Sequence, residues 1–440
     1  MSGQIESWGR VRRYDHDVRV LSTYELDETL LPAISGSGKS LLAHGMGRSY
    51  GDVALNQNNH LLLTKQLDFL IDADWNTGRI VAGTGLTLKA LHALSVPRGW
   101  ISAVVPGTAF ASLGGCVAND VHGKNHPDAG SFGAHVIRLQ LRRSSGEALV
   151  CDRDKNRQLF ALTLGGLGLT GLIEWVELQL APCASPLMEE ERLAVTALPE
   201  LFSLFRDSPG WPHKVAWIDG LVDAMPGFRG VFSRARPTSP AQPGASSPSR
   251  PVLAPAGTPG GLINRFSLSA FNRLQFHLAQ RGPRSVRPYQ DILHPLDRVT
   301  HWNRLYGRCG FFQYQALVPA EDAVADLLNL VFAGTQRPTL AVLKLHGETG
   351  SPGLMSFCRE GASLALDFAN RGPGTLRLLD ALDAIVLRHG GRVYPAKDGR
   401  MPARAFQRFF PRWVELQAGR DPAFSSSFWR RVAGNAGALR

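Results

Sequence analysis

Residues 106–136, PGTAFASLGGCVANDVHGKNHPDAGSFGAHV, bring together the backbone and the side chains that a binding site needs. Six glycines (Gly107, Gly114, Gly115, Gly123, Gly130 and Gly133) are interleaved with His122, Asn125, His126 and His135, and only Asp120, Lys124 and Asp128 carry charge. Glycine lets a backbone lie against a flat, polar object, so the stretch is a candidate cofactor cradle; a long glycine-rich surface loop has the same composition. Gly45-Met-Gly-Arg-Ser-Tyr-Gly-Asp52, after His44, offers anion binding. Its peptide N–H groups can converge on phosphate oxygens, and Arg48 can add a bidentate contact, although a plain turn is the alternative. A third cluster, Leu164-Gly-Gly-Leu-Gly-Leu-Thr-Gly171, runs into an alternating apolar stretch. Far along the chain, Arg392-Val-Tyr-Pro-Ala-Lys-Asp-Gly-Arg400 carries a short strand out to Lys397, which on its own reads as half of a surface Lys–Asp pair.

Short strands must position these loops. Apolar spacing predicts strands at 40–43, 60–64 and 79–82, paired strands at 136–142 and 147–151 across Ser144-Ser-Gly146, and a strand at 172–180. A helix is expected at 87–94, with Leu88, Leu91 and Leu94 inward and Lys89 and His92 facing solvent. Three glycine loops, each beside a strand, point to one common ligand. The spacing lacks the G-x-G-x-x-G signature with its acidic residue about 20 positions later, which argues against a Rossmann domain.

A second region begins near residue 183, with strands at 211–219 and 230–233. The Pro/Ser/Ala/Gly-dense run 236–261 and the Arg/Pro-rich run 281–288 are expected to be mobile. Between them a helix is expected at 264–277. Strands at 311–318, 340–345 and 363–368, with a helix at 322–332, give an antiparallel sheet with covering helices. Gln313 and Gln315 share one strand face, and Ser363, Ala365 and Asp367 share another. Such faces line a pocket or lie half-exposed on a sheet. An amphipathic helix at 375–388 ends at Gly390-Gly391.

With 440 residues, 44% of them hydrophobic and 19% charged, the chain is a soluble globular protein of two or three domains. It contains no apolar run long enough to span a bilayer, and its first residues lack the apolar core of a secretory signal, so a cytoplasmic location is expected. The five cysteines are scattered without a CxxC pair, which suggests reduced, structural thiols and no metal. The net charge is +11, and eight of the 48 basic residues are lysine, leaving forty arginines. The arginines are dispersed rather than striped with aromatics, which speaks against nucleic acid and for a generally basic surface.

Together, Gly45–Asp52, Pro106-Gly-Thr108 with Gly114-Gly115, His122-Gly-Lys-Asn-His126, Gly168-Leu-Thr-Gly171 and Tyr394-Pro-Ala-Lys-Asp398 resemble the FAD-dependent oxidases of the vanillyl-alcohol oxidase and p-cresol methylhydroxylase (PCMH) type. The likeness runs from Trp8-Gly-Arg10 to Phe410-Pro-Arg412. It implies an α+β fold: a two-subdomain PCMH-type FAD-binding domain (1–182), an inserted antiparallel-sheet substrate domain (183–385, with mobile loops near 236–261 and 281–300), and a C-terminal segment (386–440) returning to the FAD domain. By motif position, Gly45, Gly47, Arg48, Ser49 and Tyr50 would hold the FAD pyrophosphate and its surroundings. Gly107, Ser112, Gly114, Gly115, Asn119, His122, Ile173 and Tyr394 would line the dinucleotide and flavin. The first loop offers Arg48, Ser49 and Tyr50 where covalent members carry a histidine, so FAD is expected to be non-covalent, with His44 alone keeping attachment open.

The resemblance further implies oxidation of a secondary alcohol. Lys397 is the leading contact to the reacting hydroxyl and His122 the competing base, with Lys344, Gln313, Gln315, Ser363 and Asp367 lining the substrate pocket. Some members carry cysteine where Ala365 stands; if the activity is shared, a thiol there is not part of the chemistry. The preferred substrate is a lipid-phosphate-linked sugar, a polyprenyl-phosphoryl ribose oxidised at C2, whose keto product a partner reductase converts to the arabinose epimer. Such a substrate would bring the protein to the inner face of the membrane as a peripheral protein. An aldonolactone or alditol oxidase is the alternative, and a basic lipid- or nucleic-acid-binding protein with a vestigial flavin site is the non-enzyme alternative.

Overall fold

The computed structural model describes residues 2–23, 26–222, 228–239, 252–254, 263–282, 284–319 and 321–434. Three principal sheets organise them. The first has the order Ser2–Glu6, Arg13–Val20, His60–Leu63, Leu41–His44. Its N-terminal hairpin is antiparallel and its other two pairings are parallel. Leucines on it (Leu41, Leu62) pack with Leu21, Leu30, Leu31 and Phe424.

The second sheet is antiparallel throughout and centres on the long strand Leu172–Pro182. Arg79–Gly83 and Val136–Arg142 flank that strand, Trp100–Ser102 pairs with its end, and Leu70–Asp74 and Ala148–Asp152 form the outer edges. Here the glycine-rich stretch does more than loop. Leu113–Ala118 is a short helix whose Ser112 side chain accepts from the Gly115 N–H, and Leu113, Cys116 and Val117 drop into the core beneath the sheet.

The third sheet has eight strands in the order Arg284–Pro288, Leu187–Val195, Gly230–Pro237, His213–Ile218, Leu340–His346, Gly361–Ala369, Phe311–Val318, Arg392–Val393, with every pairing antiparallel. Phe311–Val318 is buried along its whole length. Period-two alternation explains how: Phe312, Tyr314, Ala316 and Val318 enter the largest apolar cluster with the helices Leu198–Arg206, Glu321–Ala333 and Pro373–Arg388, while Gln313 and Gln315 face a cavity on the other side.

Several expectations change. The N-terminal hairpin was not anticipated. His92, expected in solvent, is 1% exposed because its helix, Leu88–Ser95, lies against Trp100–Ser102, where His92 Nε2 is 2.9 Å from Ser102 Oγ. Arg284–Pro288, expected to be mobile, is an edge strand held by ion pairs from Arg284 to Glu191 and Arg287 to Glu190, and Tyr289–Leu293 follows as a helix. Of the run 236–261, residues 236–237 extend a strand and Val252–Leu253 pairs with Val299–Thr300; residues 240–251 and 255–261 lie outside the described residues. All five cysteines are free thiols, four of them buried.

The C-terminal segment straddles the molecule. Its strand Arg392–Val393 completes the third sheet, while the Leu41 N–H donates to Ala423 O at 2.8 Å beside the first. Arg431, on the helix Ser427–Ala433, reaches Asp52 at 2.6 Å and Asp398 at 3.1 Å, joining the first glycine loop to the turn that carries Lys397. Both carboxylates are buried, so removing their shared cation takes away the direct ion partner of each. Arg431→Met is expected to lower unfolding free energy by about 3–5 kcal/mol in chemical denaturation. A loss below about 1 kcal/mol would mean that the cluster is solvated, as surface pairs are.

Candidate active site

A cavity of about 410 Å³ lies where the three sheets meet. One wall is backbone from Gly45, Gly47, Gly107, Gly114, Gly115, Gly168 and Gly171. Gly47 (φ +62°) and Gly171 (φ +140°) adopt conformations that a Cβ would strain. Gly51 has a different reason: a Cβ there would land on the backbone carbonyl of Asp398, because the first loop and the Lys397 turn touch main chain to main chain. The Tyr50 N–H donates to Ala396 O at 3.0 Å across that contact.

At one part of the wall, the Arg48 guanidinium lies 4.3 Å from the centre of a Trp8 ring. Burial lowers its pKa, against the pull of Asp297. Asp297 in turn accepts from the Ala109 N–H at 2.7 Å. Further along, the Asn119 side chain donates to Gly115 O at 2.9 Å, while its buried Oδ1 has no partner within the protein. Tyr394 donates to Asn119 O at 2.9 Å and stacks on Phe357 with ring centres 4.6 Å apart, which fixes its ring at the cavity edge.

The opposite end is built by the third sheet. The register pairs Gln315 with Ala365, Gln313 with Asp367 and Lys344 with Ser363. Gln313, Gln315, Lys344 and Ala365 line the cavity together with Leu340 and Val342. Ser363 and Asp367 stand behind them instead. Ser363 meets His346 Nε2 at 3.1 Å, away from the lining, and Asp367 accepts from Gln313 Nε2 at 2.6 Å, positioning that lining residue.

Two lysines point into this end. Lys397 Nζ sits 3.8 Å from the centre of the Tyr50 ring; burial, with the charge of Lys344 adding to it, brings its pKa down to about 7 against the opposing pull of Asp367. Burial likewise lowers Lys344 to about 8 and raises the Asp367 carboxyl to about 7. His122 is held well below its ordinary pKa, by burial first and then by Lys344, so it is neutral. Lys344 Nζ lies 3.3 Å from its Nδ1 and the Gln315 amide 2.9 Å from its Nε2. The atom of Gln315 facing Nε2 is its amide nitrogen, which donates, so the proton of the neutral ring sits on Nδ1, toward Lys344. Both ring nitrogens are thereby engaged.

Behind His122 is a layer the sequence did not single out as a unit. Asp120 accepts from Ser351, Ser356 and the Gly133 N–H, anchoring the turn into His122. His126, His346 and Cys358 bring ligand atoms within 4.8 Å of one another, but the charge of Lys344 acts on all three and opposes a cation there. Trp8, Asp297 and Trp302 are further lining or supporting residues that no motif marked, Trp8 apart, which stands in the N-terminal Trp8-Gly-Arg10. Every expected cofactor-binding residue lines the cavity, as do Lys397, Lys344, Gln313 and Gln315; His44 does not, and its Nδ1 is 2.8 Å from Ala54 O.

Residues 18–152 match the FAD binding domain family. Decaprenylphosphoryl-beta-D-ribose oxidase of Mycolicibacterium smegmatis is 30% identical over 453 residues, 98% of this chain and 97% of the relative. An uncharacterized protein in the mprA 5' region of Streptomyces coelicolor is 31% identical over 79% of this chain and its own whole length. L-gulonolactone oxidase of Scyliorhinus torazame is 24% identical over 41% of each chain. The cavity fits FAD: a side-chain-free backbone wall, the Arg48 cation and the orphaned Asn119 acceptor suit a long, flat, anionic dinucleotide with a donor edge.

Gly51→Ala is expected to force the first loop and the Lys397 turn apart, and the purified variant should show less than about a tenth of the wild-type flavin absorbance. Full flavin content would show that the two loops can separate without losing the ligand. On its cavity, its matching domain and a relative aligned along nearly the whole of both chains, this protein belongs to the FAD-binding oxidoreductases of the vanillyl-alcohol oxidase and PCMH type and is an FAD-dependent oxidoreductase.

Proposed function

We propose that the enzyme oxidises a secondary alcohol on a sugar, and that its substrate is a polyprenyl-phosphoryl ribose whose C2 becomes a ketone, the first half of epimerisation to arabinose. The observation that carries the chemistry is Lys397, a buried amine brought to about 7 in the FAD cavity. The substrate assignment is supported by the ribose oxidase relative, aligned over 98% of this chain. When bound, FAD supplies the acceptor for the hydrogen and two electrons leaving the carbinol carbon. The protein's own residues do the remaining work. Neutral Lys397 takes the hydroxyl proton, Lys344 and Gln315 hold His122 in one tautomer, and Gln313, fixed by Asp367, presents its amide to the sugar.

In this reading the four- and six-stranded sheets are the two subdomains of the FAD domain, residues 1–182, and the eight-stranded sheet belongs to the substrate domain. FAD is held without a covalent bond; the engagement of His44 with Ala54 O, away from the lining residues, supports this. A reductase that accepts the 2-keto sugar completes the epimerisation as a partner.

Anaerobic mixing with polyprenyl-phosphoryl ribose, free alditols and aldonolactones tests the assignment. The flavin bands should bleach with the first and not with the others; bleaching by an aldonolactone alone would move the enzyme to the L-gulonolactone oxidase type of activity. Lys397→Ala should retain FAD yet reduce it about 10²–10⁴-fold more slowly. Because the neutral amine is the active form, the wild-type reduction rate should rise with pH through about 7 and fall about tenfold per unit below it. A flat profile, or an unchanged rate in the variant, would remove Lys397 from the proton transfer.

A further inference from the structure

The helix Arg265–Arg281 is mounted with its apolar side outward. Phe266 is 86% exposed, and Phe271, Leu274 and Leu278 are each about half exposed (52%, 54% and 46%). Its inward side mixes Ser269, Asn272 and Gln275 with Leu268, Phe276 and Ala279. Buried Asn272 donates to Asp219 Oδ1 at 2.6 Å, and Gln275 accepts from Arg192 at 2.8 Å, fastening the helix onto the strands Leu187–Val195 and Gly230–Pro237. At 100° per residue, Phe266, Ala270, Leu274, Leu278 and Phe271 fall on one stripe opposite Asn272 and Ala279. A surface helix of a monomer presents the reverse pattern, and contiguous exposed apolar patches mark interaction sites.

The charges around the stripe indicate what covers it. From Ile263 to Gln290 there are five arginines and no acidic residue. Arg284 and Arg287 are used in ion pairs with Glu191 and Glu190, whereas Arg273 stands exposed beside the stripe and Arg281 stands exposed at its C-terminal end. A second copy docked about a two-fold axis would set these arginines against their own images. The chain's residues 240–251 and 255–262 contain only one large apolar side chain, Leu262, so their composition offers little to cover the stripe. The helix is too short and too polar to cross a bilayer.

We infer that the Arg265–Arg281 helix is a membrane-docking element that lies in the interface of an anionic bilayer, its Phe/Leu stripe among the acyl chains and its arginines on the headgroups. The pocket rim carries an apolar pair of its own: Val252 and Leu253, 66% and 63% exposed, ladder onto Val299 and Thr300 of the cavity lining. The docking inference goes beyond the redox reading and stands without it, although a lipid-linked substrate would give the docking its use.

Flotation of the FAD-loaded full chain with phosphatidylglycerol-containing and with pure phosphatidylcholine vesicles tests it. The wild type should bind the anionic vesicles at least tenfold more tightly than the neutral ones, and less tightly as salt is raised. Phe266→Ser/Phe271→Ser/Leu274→Ser and Arg273→Glu/Arg281→Glu should each weaken that binding at least tenfold. Because the altered side chains are exposed, both variants should keep the wild-type flavin content, melting temperature and flavin bleaching. Absence of wild-type binding, binding that ignores both sets of substitutions, or a wild-type dimer that the Ser variant dissociates would overturn the proposal. Any of these with flavin bleaching intact would leave the oxidase reading standing.

Discussion

An ammonium group out of water is the constraint on which this site is built. Transfer of a charge into a dry cavity is unfavourable unless the charge is paired, and a buried lysine responds by giving up its proton. Lys397 and Lys344 share one end of the cavity, and the carboxyl that acts on Lys397 there, Asp367 behind the lining, is itself desolvated and already committed to Gln313. The three groups therefore titrate near neutrality instead of several units apart. An amine that exchanges a proton near pH 7 is suited to the proton transfer proposed for it. Burial first, and the same positive field second, keep His122 neutral.

Holding Lys397 in that position takes both ends of the chain. Its turn touches the first glycine loop main chain to main chain at Gly51, and Arg431, from the last described helix, bridges Asp52 to Asp398. The first glycine loop and Lys397 are thus one mechanical unit, although they lie almost 350 residues apart in sequence. The third sheet approaches from the other side and supplies the polar floor through strict alternation: core residues at even positions of 311–318, glutamines at 313 and 315.

The cofactor side was legible because its signal is backbone chemistry. Glycine at positions 45, 47, 107, 114 and 115 reports close approach directly, and all five line the cavity. Strands such as 136–142 and 311–318 were equally legible, since alternation survives in sequence. What failed was anything set by a distant partner. His92 reads as solvent-facing on its own helix and is buried by a strand eight residues on. Ser363 and Asp367 share a strand face with Ala365, yet depth rather than face separates lining from supporting residues. Arg284–Pro288 has the composition of a loop and becomes a strand through Glu190 and Glu191 on its neighbour. The Asp120 anchor depends on two serines more than 200 residues away.

The central claim is that Lys397 is an amine of lowered basicity when FAD is bound, and a direct titration tests it. With lysine side chains labelled at Nζ and the Lys397→Ala protein used to assign the signal, NMR on the FAD-loaded oxidised enzyme should show Lys397 half-protonated near pH 7. A midpoint at the ordinary value of about 10.5 would contradict the account, because a permanently charged ammonium cannot take the proton of the substrate.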